Sequence, residues 1–187
     1  SALCILLLSF IIAVIAKFKF GKLGHLIGYL SSIGYAFPGI ILAIGVLGFT
    51  NFLDNKLFHI FDNFTLGNTI IVLLIGLIVR FQAVGFGSIS SGINSLPPFL
   101  MDSGRILGKK FEFVLIKVIF PLLRPSLLVG FLLIFVDVMK ELPMTLLLRP
   151  FSFETFATFT YQYAKDELLE EAAIPAFLII IAGLIPV

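Results

Sequence analysis

Charge is scarce in this 187-residue chain: Asp, Glu, Lys and Arg make up 13% of it, against about 25% in soluble domains. That excludes an ordinary water-facing surface. Cysteine is nearly missing as well. The single Cys4 lies inside an apolar stretch, so the chain can build neither a disulfide framework nor a cysteine metal site of its own. Only two histidines occur, His25 and His59, and no His-Glu-x-x-His pair is present. No group of carboxylates, Tyr or His has the spacing of a transition-metal site. The Gly-x-x-x-x-Gly-Lys-[Ser/Thr] phosphate loop is lacking, so any ATP hydrolysis belongs to another polypeptide. No catalytic set, metal set or cofactor site is therefore expected within the chain, and a net charge of +2 makes no case for nucleic acid. Internal repeats and low-complexity tracts are absent too.

Apolar residues are what the chain has instead, at 59% of the total and a mean hydropathy of +1.14. Five apolar stretches stand out, near residues 1 to 16, 26 to 50, 68 to 87, 122 to 142 and 172 to 187. A bilayer crossing needs about 20 such residues. The expectation is an all-α membrane protein, a multi-spanning transmembrane helical bundle with about five spans in lipid. The first and last stretches read as incomplete. The chain opens at Ser1 with an apolar run under way and stops at Val187 within another, so both ends are read as truncations. Ala2 to Ala16 is read as a span, not a signal peptide, because lysines follow it and no basic flank precedes it.

The connections alternate in charge. Lys17 to His25 carries three lysines and no acid, whereas Asn51 to Gly67 holds Asp54 and Asp62 against Lys56. Ser88 to Pro121 is basic again, with Arg105, Lys109, Lys110 and Lys117. The fourth connection is acidic, with Glu154, Asp166, Glu167, Glu170 and Glu171. Lys and Arg are retained on the cytoplasmic side, which assigns the two basic connections inside. Phe151 to Glu171 on the outer side is too polar to span. Its six aromatics fit a helix at the interface, or equally a solvated loop.

Ser95 to Pro121 is punctuated as two short helices. Pro97 and Pro98 suit a helix start after Asn94 or Ser95, and Gly108 followed by Lys109 and Lys110 suits a helix stop. Phe111, Val114, Leu115 and Val118 then form one apolar face, with Phe113, Ile116 and Phe120 forming another, up to Pro121. A two-faced basic helix packs on its own bundle and on something else, either a partner protein or the inner leaflet.

Within this segment Asp102, Ser103 and Gly104, then Gly108, then Val118, Phe120 and Pro121 keep the spacing of a motif in permease subunits of binding-protein-dependent ABC importers. There the pattern reads Glu-Ala-Ala, three residues, Gly, nine residues, Ile-x-Leu-Pro. The literal Glu171-Ala172-Ala173 is a decoy, with Phe177 where the glycine should stand. The resemblance implies that residues 95–121 form a cytoplasmic coupling segment docked on an ATPase subunit. Asp102 is read either as that contact or as helix-end chemistry.

The run from Asp137 to Pro150, with Lys140-Glu141-Leu142-Pro143 before Thr145-Leu146-Leu147-Leu148-Arg149-Pro150, closely resembles a signature of iron(III) importer permeases. Gly34-Tyr35-Ala36-Phe37-Pro38-Gly39 and Arg80-Phe81 look like the same family's later spans, and the likeness extends over nearly all of residues 1–187. It implies part of a type I importer's transmembrane domain, a bacterial inner-membrane location, and alternating access. It also implies three partners: an ABC ATPase dimer that binds the ATP and Mg, a periplasmic substrate-binding protein, and a second permease half. Thiamine, phosphonate and polyamine importers have related permeases. A secondary transporter or membrane-embedded enzyme is the reading from outside the class.

Asp137, Lys140 and Glu141 fall at i, i+3 and i+4, so on one helix face they would pair, which lowers the cost of charge at membrane depth. Two readings stand: a gate or pathway lining near the outer mouth, and an ion-pair network holding helices together. Pro143 ends or kinks that helix. Arg80, placed in the inner half of its span, would snorkel inward or pair with an acid such as Asp137.

Overall fold

The computed structural model describes residues 1–18, 22–56, 67 and 69–184. Lys19, His59, Asp62 and the close of the last apolar run lie outside the described residues, as do the side chains of Lys22 and His25. Among the described residues all regular structure is helical: α1 (Ala2–Phe18), α2 (Lys22–Ala36), α3 (Gly39–Lys56), α4 (Ile70–Ser95), α5 (Leu100–Ile106), α6 (Phe111–Val114), a π-helical turn (Leu115–Ile119), α7 (Phe120–Leu122), α8 (Arg124–Met139), α9 (Pro143–Leu148), α10 (Phe156–Lys165) and α11 (Leu169–Leu184).

Helix α4 is the spine of the bundle. Its 26 residues contain no proline, and α1, α2 and α8 pack along it. Two buried clusters share it. Leu73, Leu77 and Phe81 in its first half meet Ile5, Ala43, Ile134, Met144 and Leu148. Ile89 and Ile93 in its second half meet Ala13, Val14, Met101, Val114 and Ile119.

The five expected spans are not decided by the described residues. Among these α4 is the one straight helix long and apolar enough to cross a bilayer, two bent pairs would bring the number to three if each counts as one crossing, and Ala2–Phe18 is a shorter apolar helix. The stretch 26 to 50 is two helices meeting at 108°. Pro38 is the cause: it disfavours helical geometry at Phe37 and then opens α3, where its C=O accepts the Leu42 N–H. The helices from Phe111 to Leu122 and from Arg124 to Met139 meet at 66°, between Pro121 and Pro125. The π-helical turn has the same origin. Pro121 has no N–H to close an ordinary turn, and one residue earlier the Phe120 N–H reaches back to the Leu115 C=O.

The two basic connections share one end of the bundle. Lys17 at the end of α1 donates to Asn94 Oδ1 at the end of α4 (2.8 Å), and the Phe18 and Phe111 rings meet edge to face at 6.2 Å. At the other end Gly67 N–H donates to Asp54 (3.2 Å). The aromatic segment after Pro150 forms helix α10, started by a reciprocal Thr155/Thr158 cap and packed on α11.

Candidate functional site

Two arrangements stand out, one beside the middle of α4 and one past its C-terminal end. The first is built where two helices break. Helix α8 stops at Met139 because the residue four on, Pro143, has no N–H for the Met139 C=O. Glu141 therefore leaves the helix face on which it was expected to join Asp137 and Lys140. Its carboxylate turns inward, 6% exposed, and Oε2 lies 3.2 Å from Arg80 Nε. Oε1 accepts the Met144 N–H at the start of α9 (3.1 Å), and the Thr145 hydroxyl donates to the Glu141 C=O (2.9 Å). Lys140 is left to pair with Asp137 alone, at 2.7 Å, with the lysine largely exposed.

Arg80 thus finds Glu141 and not Asp137. It also sits in the first half of α4, since the helix runs on to Ser95. The contact is Coulombic more than hydrogen-bonded: neither Nε nor Nη1 has an acceptor in good geometry, though both are buried. Gly39, the first residue of α3, completes the junction. A β-carbon there would overlap Arg80 Nη1 and lie 3.0 Å from Glu141 Oε1, so any larger residue would have to displace the Arg80 guanidinium. One ion pair therefore ties together the elbow after Pro38, the middle of α4 and the break before Pro143. A turn further on, Arg149 pairs with Glu154 and donates to the Phe153 C=O (3.1 Å), closing the link from α9 to α10.

The second arrangement lies past the C-terminal end of α4. Helix α5 ends in a complete glycine stop: Lys109 N–H donates to the Gly104 C=O, Gly108 N–H donates to the Arg105 C=O, and Gly108 has φ +69°. The space around Gly108 is open, so its backbone and not its size demands glycine. Gly104 is the opposite case, because a β-carbon there would overlap Val114 of α6. Ser103 is exposed and takes no part in that approach. Val114 and Ile119 are buried, and Phe111, Leu115 and Val118 pack beside them, while Phe113, Ile116 and Phe120 stay exposed. Phe120 leans edge-on against Phe10 at 5.7 Å. Among the described residues Asp102 pairs with Arg105 on its own helix, 3.4 Å away and largely exposed, which fits both readings made of it.

Residues 5–187 match the family described as "Binding-protein-dependent transport system inner membrane component". The chain belongs to that family.

A relative of this inner membrane component is the "Fe(3+)-transport system permease protein FbpB 2" of Haemophilus influenzae, 22% identical over 153 residues. The matched stretch is 82% of this chain and 28% of the relative, so the chain spans well under half of that protein. Among the described residues of this inner membrane component no three His, Cys, Asp or Glu side chains gather as a metal site.

Gly39 in the first arrangement, and the buried polar side chains of Gln82 and Ser9 outside both, are not among the site residues expected from sequence. Gly39 was read with Pro38 as a packing interruption. Gln82 and Ser9, both buried with no hydrogen-bond partner, were passed over as parts of apolar runs, although a glutamine two residues from an arginine inside such a run was a visible signal.

Proposed function

We propose that the chain is one half of the membrane-spanning permease of an ATP-binding-cassette importer, driven by alternating access in a bacterial inner membrane. A periplasmic binding protein delivers the cargo, and a separate ATPase dimer binds ATP and Mg. The family assignment supports the class. The observation that carries the mechanism is the exposed turn at Gly108. It presents Ile106 at 85% and Leu107 at 75% exposure between Arg105 and the Lys109–Lys110 pair. Two nearly bare aliphatic side chains ringed by cations suit a groove on an acid-rimmed partner better than water.

Behind that turn, Gly104 on Val114 and the buried face of Phe111 to Ile119 fasten the segment to α1 and α4. A push on the turn therefore reaches the bundle. Beside the middle of α4, the Arg80–Glu141 junction is the part of the permease that must hold or yield as the outer side opens. The Asp137–Lys140 pair, with its lysine exposed, is a helix-end contact with a smaller role. Iron(III) as cargo is supported by the FbpB 2 likeness; the absence of a metal-ligand cluster among the described residues suits a path that holds cargo weakly while the binding protein selects it. Related permeases for thiamine, phosphonate or polyamine are the alternative.

The test is Gly108→Val in the full-length importer reconstituted with its ATPase and binding protein. A β-branched residue cannot adopt φ +69° without strain, so the turn should distort, with ATP hydrolysis continuing while uptake falls at least tenfold. Unaltered, ATP-dependent uptake in that variant would refute the coupling role.

A further inference from the structure

The last turn of α1 carries a cation that no acid answers. Lys17 Nζ donates to Asn94 Oδ1 (2.8 Å), and among the described residues no carboxylate pairs with it. Lys17 and Asn94 line two open clefts at once. One, of about 350 Å³, lies between α1, α2 and α4, with Ala13, Ala16 and Phe86 among its walls. The other, of about 400 Å³, extends past Leu96 and Pro97 to Asp102 and Arg105. Those last two pair with each other at 3.4 Å, so the acid of the larger cleft is engaged and Lys17 keeps its charge for a guest.

The donors on this face suit one kind of guest. An ammonium has three N–H groups, of which Asn94 takes one. Asn94 accepts through Oδ1, which leaves its amide N–H groups to donate elsewhere. Ser90 stands four residues before Asn94, so its hydroxyl shares that helix face, and it lines the smaller cleft. An ammonium, an amide and a hydroxyl side by side match a phosphate, whose oxygens accept several charge-assisted hydrogen bonds. The walls decide what carries that phosphate. Ala13, Ala16 and Phe86 offer an acyl chain an apolar surface for which a soluble anion has no use, and basic clefts between membrane helices on the cytoplasmic side collect acidic headgroups.

We propose that Lys17, Asn94 and Ser90 hold the headgroup phosphate of an anionic phospholipid of the inner leaflet, with its acyl chain lying against α1 and α4. The inference rests on the reading of the basic connections as cytoplasmic in an importer permease. Its test uses the full-length importer, with ATPase and binding protein, stripped of lipid in detergent and titrated with phosphatidylglycerol, the first lipid bound being followed by native mass spectrometry. Phosphatidylglycerol should bind more tightly than phosphatidylethanolamine. Lys17→Gln keeps a donor for Asn94 but no charge, and should weaken that binding about fivefold, the effect of one lysine beside an anionic headgroup. Lys17→Arg should stay near the parent. Asn94→Asp keeps the acceptor for Lys17 and sets a second negative charge beside the phosphate, so it should weaken binding at least as much as Lys17→Gln and decides the matter if that variant fails to assemble. Arg124 is exposed and lines neither cleft, and Arg124→Gln should change the affinity less than twofold. Equal losses in Lys17→Gln and Arg124→Gln, which mean a diffuse attraction to basic residues, overturn the proposal. So do phosphatidylethanolamine bound as tightly, and displacement of the lipid by inorganic phosphate at matched ionic strength, which assigns the site to a free anion. ATP-dependent uptake by the unsubstituted importer, returned to lipid, is measured separately: its absence refutes the importer reading, while the titration alone judges the lipid site.

Discussion

Removing the Glu141 carboxylate tests the junction most directly. At 3.2 Å and an effective dielectric of about 20, the gross attraction between Arg80 and Glu141 is about 5 kcal/mol. Desolvation offsets much of that in the intact protein, but not in a variant that keeps Arg80 buried and alone. Stripping one partner from a buried pair costs about 3–5 kcal/mol. Arg80 is 21% exposed and can draw partly toward water, which places Glu141→Ala at the low end, about 3 kcal/mol. The orphaned Met144 N–H adds about 1 kcal/mol. Glu141→Gln keeps an acceptor for Met144 and loses only the charge, for about 2 kcal/mol. The double variant Arg80→Met/Glu141→Met removes both charges, and such replacements are close to neutral for stability. The assay is thermal unfolding of the reconstituted importer beside ATP-dependent uptake. Stability that returns in the double variant together with uptake identifies the pair as a tie between helices; stability that returns without uptake identifies the charges as part of the transport cycle. Glu141→Ala indistinguishable from the parent in both measurements would refute the reasoning.

Gly39→Ala should act through the same pair, by forcing Arg80 away from Glu141, with a loss of about 1–3 kcal/mol in the same unfolding assay. Gly104→Leu should drive α5 off Val114 and lower uptake while the ATPase stays active; adding Val114→Ala should recover part of that uptake. Asp137→Asn breaks a pair in which Lys140 is exposed and Asp137 only 19% exposed, so its unfolding midpoint should move by about 1 kcal/mol equivalent or less, with uptake near the parent value.

Much of this was legible from residue order because proline and glycine act locally. Pro38, Pro121 and Pro143 each announce a lost donor, and Gly108 before two lysines announces a positive φ. The two faces of Phe111 to Phe120 follow from spacing alone. The partner of Arg80 was not legible. Pairing Asp137, Lys140 and Glu141 on one face assumed that the helix runs through residue 141, whereas Pro143 ends it at Met139 and frees Glu141 to meet an arginine from α4. The closeness of Gly39 to that pair depends on a bend of 108°, an angle that a proline permits but does not specify. Composition reports which residues tolerate lipid, not whether a stretch stays straight, so the angles of the bends at Pro38 and between Pro121 and Pro125 were visible only in the structure.

Among the described residues, three proline-linked breaks lie beside α4, which itself runs unbroken from Ile70 to Ser95. The elbow after Pro38, the corner between Pro121 and Pro125, and the break before Pro143 all belong to neighbours of one uninterrupted rod. From Arg80 to Ser95 that rod measures about 22 Å at 1.5 Å per residue. It behaves as a strut with jointed limbs: a displacement at Asn94 arrives at Arg80 undiminished, and any change of shape must be taken up where the limbs hinge. Stiffness and compliance are thus assigned to different helices, and a proline introduced into α4 would do more harm to such a machine than the loss of any one of the prolines around it.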